Sequence, residues 1–116
     1  MRVMTRVAQD NLRRLAEIGG VIAAGSDLSF GPELHRELVL LQQAGLTPWE
    51  VLRSATVNGA RYIGVAERAG AIRAGQRADL ILVDEDPTTD VGHLASVSAV
   101  LKDGQVIDRA SLRVTG

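Results

Sequence analysis

One aspartate is placed where the sequence could do chemistry, inside the stretch GSDLSFGPELH that runs from Gly25 to His35. Asp27 comes three positions after Ala24, the last residue of the apolar run VIAA, so its carboxylate is delivered just after a buried-looking segment stops. On the residues alone, an aspartate in this position is more often a helix cap or a loop residue than a ligand. The rest of the chain must therefore show what could use this carboxylate.

Few other side chains could complete a catalytic centre. The chain has no cysteine, which excludes disulfides and thiolate zinc sites, and its histidines, His35 and His93, do not form a His-x-His pair. A catalytic zinc usually takes three protein ligands, so these residues do not make a complete zinc site. His93, in the turn DVGHLASV, is interpreted as structural or solvated. Asp79, at the start of a strand, can tie down a turn.

Bulk composition excludes some partners. A formal net charge of −1 and 3% aromatic residues give no reason to expect a nucleic-acid surface. There is no phosphate-binding glycine motif, no signal-peptide layout and no apolar run of the ~20 residues that a membrane span needs. We expect a cytoplasmic protein that contacts neither nucleic acid nor membrane.

The first half of the chain predicts helices around one buried strand. Apolar residues recur every three or four positions from Thr5 to Ile18, which predicts an amphipathic helix ended by Gly19-Gly20. Val21 to Ala24 is continuously apolar and predicts a strand covered on both faces, as in parallel sheets. A second helix is expected from Glu33 to Ala44, with Gly45 as its stop.

The sequence LTPWEV predicts the start of a third helix. Thr47 as N-cap, Pro48 at the first helical position and Glu50 three residues after the cap form a capping box. Leu46 and Val51 can close a hydrophobic staple around it. We expect this helix to be interrupted around Asn58-Gly59.

From Gly70 onward, glycines alternate with short apolar runs, which predicts β structure. The run GAIRAGQRADLILVDEDP ends at a proline, and VSAVLKDGQVID has Asp103-Gly104 at the centre of an expected hairpin.

Taken in order, these segments resemble the C-terminal portion of the metal-dependent amidohydrolases, in particular the imidazolonepropionase-like and Xaa-Pro dipeptidase-like branch. The resemblance rests on Gly25-Ser26-Asp27 after a buried strand, on LHRELVLLQQAGLTPWEVLRSATVNGARYIG, and on the two β-rich runs, and it covers about residues 5–108. It implies an α/β fold with the last strand and helices of a (β/α)8 barrel in residues 1–66. Residues 67–116 would then be part of a small β-sandwich.

The resemblance also implies a role for Asp27. In relatives, the aspartate after the last barrel strand binds a divalent metal, most often zinc, and passes a proton from the attacking water to the leaving amine. His35 lies just beyond that strand, so it can take a substrate-side position. A partly exposed helix residue that hydrogen-bonds to the backbone explains His35 equally well.

A complete (β/α)8 barrel needs about 250 residues, so a chain of 116 cannot form one. We expect the C-terminal fragment of an enzyme that hydrolyses C–N bonds in cyclic amides or dipeptides, inactive and without bound metal when isolated. The alternative is a non-catalytic module that oligomerises or pairs with a separate chain. Because an apolar strand alone leaves edges and faces uncovered, a homo-oligomer or a missing N-terminal part is expected.

Overall fold

The computed structural model describes residues 2–25 and 31–112 of the chain. Helix α1 runs over Arg2–Glu17 and α2 over Gly31–Gln43. Both helices end in the same way, with a glycine of positive φ at Gly19 and Gly45. The amides that follow bond back to the last turn, Gly20 N to Leu15 O at 2.8 Å and Leu46 N to Leu41 O at 3.3 Å. These are Schellman endings, and they confirm the predicted glycine stops.

The capping box of the third helix is confirmed. Helix α3 runs over Pro48–Ala55, the Thr47 hydroxyl accepts from Glu50 N at 3.2 Å, and Thr47 N donates to the Glu50 carboxylate at 3.0 Å. Leu46 and Val51 are 3% and 0% exposed and belong to one core cluster, as the predicted staple requires.

The predicted interruption at Asn58-Gly59 is wrong by position. The chain leaves the helical conformation at Thr56, with φ −124° and ψ −91°, and helix α4 then runs over Val57–Tyr62. The Thr56 hydroxyl donates to Leu52 O at 2.7 Å, a back-bond of the kind that competes with regular helix geometry. Asn58 is therefore inside a helix.

The predicted strand at Val21–Ala24 is also wrong for this chain. Within the described residues the segment pairs with no strand and has no regular secondary structure. Residues of α3 and α4 hold the segment instead. Ala24 N donates to Ser54 O at 2.9 Å, and Asn58 Nδ2 donates to Ile22 O at 3.0 Å. Val21 is 60% exposed, so the described residues do not cover this side chain, whereas Ile22 and Ala24 pack against the core.

The β-rich part forms an open sheet of three antiparallel strands in the order β1-β2-β3. Strand β1 is Leu80–Val83, β2 is Val97–Lys102 and β3 is Gln105–Val106. Strands β2 and β3 form the predicted hairpin, whose turn residues Asp103 and Gly104 have φ of 50° and 80°. Two positive φ values define the turn that matches strand twist, so this prediction is confirmed.

One core joins the helices to the β-rich part. A 3-10 helix, Val91–Ala95, lies in the connection between β1 and β2 and contributes Val91 and Leu94. Helices α2 and α3 and the loop between them contribute Leu38, Val51 and Leu46. Among the described residues, no helix is both long enough and apolar enough to cross a bilayer.

Candidate functional site

Asp27 lies outside the described residues, so its geometry is not on view. The described chain stops at Gly25 and resumes at Gly31, the first residue of α2. Ala24, three positions before Asp27, is fixed by its amide bond to Ser54 O at the end of α3. In the sequence, Asp27 comes between a segment held by α3 and the first residue of α2.

His35 lies in α2 and lines an open groove between the helices and the sheet. The groove has a volume of about 820 Å3. Its walls are mostly apolar, and they include Leu34, Leu38, Leu52, Ile81, Val83 and Leu94. The side chain of His35 is exposed. The structure thus places His35 on a concave apolar surface, and the substrate-side role stays a prediction.

Two further polar residues that line the groove form hydrogen bonds to the backbone. The Asp79 carboxylate accepts from Asp103 N at 2.9 Å, so it ties down the hairpin turn as the sequence suggested. The Arg109 guanidinium donates to Val97 O at 2.9 Å. Both side chains bond to backbone groups, which fits a structural role for each.

The described residues do not fit a complete metal centre. No group of three or more His, Cys, Asp or Glu side chains within residues 2–25 and 31–112 could hold a metal ion. A catalytic zinc usually needs three protein ligands. Further ligands would have to come from outside the described part of the chain.

His93 has structural contacts, in line with its interpretation from sequence. Its Nδ1 lies 2.6 Å from the backbone oxygen of Asp86, and its Nε2 lies 3.3 Å from a carboxylate oxygen of Glu85. The bond to the Asp86 carbonyl raises the pKa of His93 above its usual value, and the nearby carboxylates add to this.

Gln42 is a connecting residue that the sequence did not reveal. Its side-chain oxygen accepts from Val91 N at 2.8 Å, and its nitrogen lies 3.4 Å from an Asp90 carboxylate oxygen. It thereby ties the end of α2 to the 3-10 helix. No local signal could have found it, because the two ends of the contact are far apart in sequence.

Comparison with known proteins identifies the family. The profile of the amidohydrolase family matches residues 6–108, and the chain belongs to this family. The imidazolonepropionase of Deinococcus deserti is 38% identical over 93 residues, which are 76% of this chain and 23% of that protein. The chain spans about a quarter of the length of the curated relatives it matches.

Solved structures agree with this assignment. A Xaa-Pro dipeptidase with bound methionine in its active site superposes with a TM-score of 0.78 at 31% identity, covering 85% of this chain and 25% of that one. A protein described as a prolidase of Bifidobacterium longum gives 0.73 at 31% identity, covering 84% and 25%. The family and the α/β fold predicted from the sequence are thus confirmed.

Proposed function

We propose that this chain is the C-terminal part of a metal-dependent amidohydrolase that hydrolyses a C–N bond in a cyclic amide or a dipeptide. The family match over residues 6–108, together with relatives named for imidazolonepropionate and for Xaa-Pro dipeptides, carries the proposal. The substrate is a small molecule in either case.

Asp27 is the residue to which we assign the chemistry. In the complete enzyme it serves as one ligand of a divalent metal, zinc in the first instance, and as the carboxylate that accepts and returns a proton. A carboxylate suits both tasks because it binds hard cations and exchanges protons at hydrogen-bond distance. His35 serves on the substrate side, since it lines the apolar groove and follows Asp27 closely in the sequence.

The isolated 116-residue chain is expected to be inactive. We expect no hydrolysis of Xaa-Pro dipeptides or of imidazolonepropionate by the purified chain with added Zn²⁺, because the described residues contain no group that could hold a metal. Turnover that depends on metal and follows the verified 12.3 kDa chain through purification would contradict this.

The mass and activity of the polypeptide in its source cells test the proposal. We expect peptides such as residues 78–90 to belong to a protein several times heavier than 12.3 kDa that hydrolyses such substrates. In that protein, Asp27→Asn should lower turnover about 100- to 10,000-fold, the range for a lost general base. Asp10→Asn, a matched change at an exposed position of α1, should leave turnover unchanged. Full activity of Asp27→Asn would remove the role given to Asp27.

The alternative is a non-catalytic module that oligomerises or pairs with a separate chain. The exposed apolar side chains favour it: Tyr62, Ile63, Ile72 and Val106 are all at least 70% exposed. A polypeptide mass of 12.3 kDa in the source cells, with no turnover, would select this alternative over the fragment of a longer enzyme.

A further inference from the structure

The connection between β1 and β2 is a folded unit that reaches α2. Asp84 N donates to Ser96 O at 2.9 Å and Glu85 N donates to the Ser96 hydroxyl at 3.1 Å, which closes the two ends of the connection. Val91 and Leu94, near its middle, are buried against the helices. The connection is therefore the piece that docks the β-rich part onto the helices.

His93 joins two points of this connection through its two ring nitrogens. Because a backbone carbonyl only accepts, Nδ1 must carry a hydrogen toward the Asp86 oxygen at 2.6 Å. Nε2 then carries a hydrogen only when the ring is charged. In that state it donates to the Glu85 carboxylate at 3.3 Å, and in the neutral ring it presents a lone pair to the same carboxylate. Protonation thus converts a repulsive contact into an attractive one.

Besides the bond to the Asp86 carbonyl, the charges that raise the pKa of this imidazole come from its own connection. They are the carboxylates of Glu85, Asp90 and Asp86. Of the elements packed against the connection, β1 carries no charge. Helices α2 and α3 also carry titratable or charged side chains, and among the described residues none of these is a cause of the raised pKa of His93. They are Glu33, His35, Arg36, Glu37, Glu50 and Arg53.

We propose that His93 is a pH-dependent clasp, whose charged form binds Glu85 and the Asp86 backbone and holds the 84–96 connection, with its 3-10 helix, against α2. The clasp closes as the pH falls and the ring gains its second proton, and it opens as the pH rises. Gln42 passes the effect to α2, since it bonds Val91 N and contacts Asp90.

The direction follows from the two titrating groups. The pKa of His93 is raised in the folded chain, so its contribution is complete below about pH 6.5 and is lost as the pH rises through the folded value. The pKa of Asp86 is lowered by bonds from the Thr88 hydroxyl and amide, so its contribution is lost only as the pH falls below about 3.9. Between these limits both contributions are present.

An NMR titration of the purified 116-residue chain tests the clasp directly. We expect the His93 ring to titrate above about 6.5 and Glu85→Gln to lower its midpoint, because this variant removes the negative charge and keeps the shape. The same experiment follows His35 as an internal control, which Glu85→Gln should not move. A His93 midpoint at or below 6.5, or one that Glu85→Gln leaves in place, would overturn the proposal.

Amide exchange measures whether the clasp holds the connection. After correction for intrinsic exchange, the Val91 amide should exchange about two- to fivefold more slowly at pH 6 than at pH 8, the range for an exposed ion pair. His93→Asn should lose this difference, and His35→Asn should keep it. Equal pH dependence in wild type and His93→Asn would contradict the proposal; the wild-type titration decides if that variant does not fold.

Discussion

At the scale of single residues, the clearest contacts are reciprocal bonds between side chain and backbone. Thr47 and Glu50 each satisfy an amide of the other at the start of α3. In the hairpin turn, the Asp79 carboxylate accepts from the Asp103 amide in a single bond. Such contacts involve backbone amides that neither the helix nor the sheet can satisfy, so their loss leaves a donor without an acceptor.

Replacing Thr47 tests the capping box. Thr47→Ala should lower the free energy of unfolding by about 1 kcal/mol, the usual value of an N-cap, as measured by urea denaturation. Thr47→Ser keeps the hydroxyl and should stay within a few tenths of a kcal/mol of wild type. Equal losses in the two variants would mean that the Thr47 methyl group, rather than the hydrogen bond, stabilises the helix.

Residues were predictable from sequence where the contact is local. The capping box, the glycine stops and the hairpin turn each occupy a few neighbouring positions with fixed residue types, so the sequence alone predicted them. Gln42 was missed because its contacts with Asp90 and Val91 depend on tertiary packing. Asp27 was singled out by its place after an apolar run and by family resemblance, and its role stays a prediction.

At the scale of elements, Gly70 sets how closely the chain after α4 approaches the α3–α4 junction. Its φ is 102°, and a Cβ at this position would lie 2.8 Å from the Ala60 Cβ and 3.1 Å from the Thr56 carbonyl oxygen. Real Cβ atoms essentially never come as close as the first of these distances, and few come as close as the second. Gly75 has a similar φ of 89°, but a Cβ there would meet nothing within 4 Å.

These two glycines form a matched pair for mutation. Gly75→Ala should cost about 1–2 kcal/mol for the left-handed conformation alone. Gly70→Ala should cost a further 1–3 kcal/mol or so, because the added methyl group also has to displace Ala60 or the Thr56 backbone. Urea denaturation of both variants gives the difference. Equal costs would mean that the loop around Gly70 relaxes away from α3 and α4.

Elements were predictable where their own sequence carries the signal. Helices α1, α2 and α3 follow from apolar periodicity and their end residues. The Val21–Ala24 strand was predicted from its apolar run, but a strand exists only with a neighbour to bond, and the described chain offers it none. The break at Thr56 was misplaced because the glycine of Asn58-Gly59 is a stronger helix breaker on paper than threonine.

At the scale of the whole molecule, the main exposed apolar surfaces are the groove and the strand β1 beside it. Ile81 of β1 is 49% exposed and lines the groove, whereas its neighbour Leu82 is 56% exposed and does not line it. Successive strand residues point to opposite faces, so these two side chains report on the two sides of one strand. Apolar surface of this kind favours association.

We expect the isolated chain to be a dimer or larger oligomer at micromolar concentration. Sedimentation should give a mass above 12.3 kDa. If the groove is the face that associates, Ile81→Lys should shift the protein to monomer while Leu82→Lys should not, because a charge resists burial only on the buried side. A monomer at all micromolar concentrations would contradict the expectation.

The family was predictable because the order of several motifs is more specific than any one of them. The groove was not predictable, since it is formed by α2, α3 and the sheet together and has no sequence signature of its own. The division into residues 1–66 and 67–116 stays a prediction, for the core contains side chains from both ranges.

That common core bears on how such a segment can be exchanged between relatives. Val91 and Leu94 pack beside Leu38, Leu46 and Val51. A chimera joined near residue 66 would therefore pack the core side chains of one parent against the helices of the other. Substitutions on the two sides of the junction should therefore compensate one another in volume. Grafting residues 31–106 as one block would keep the contacts among these five side chains.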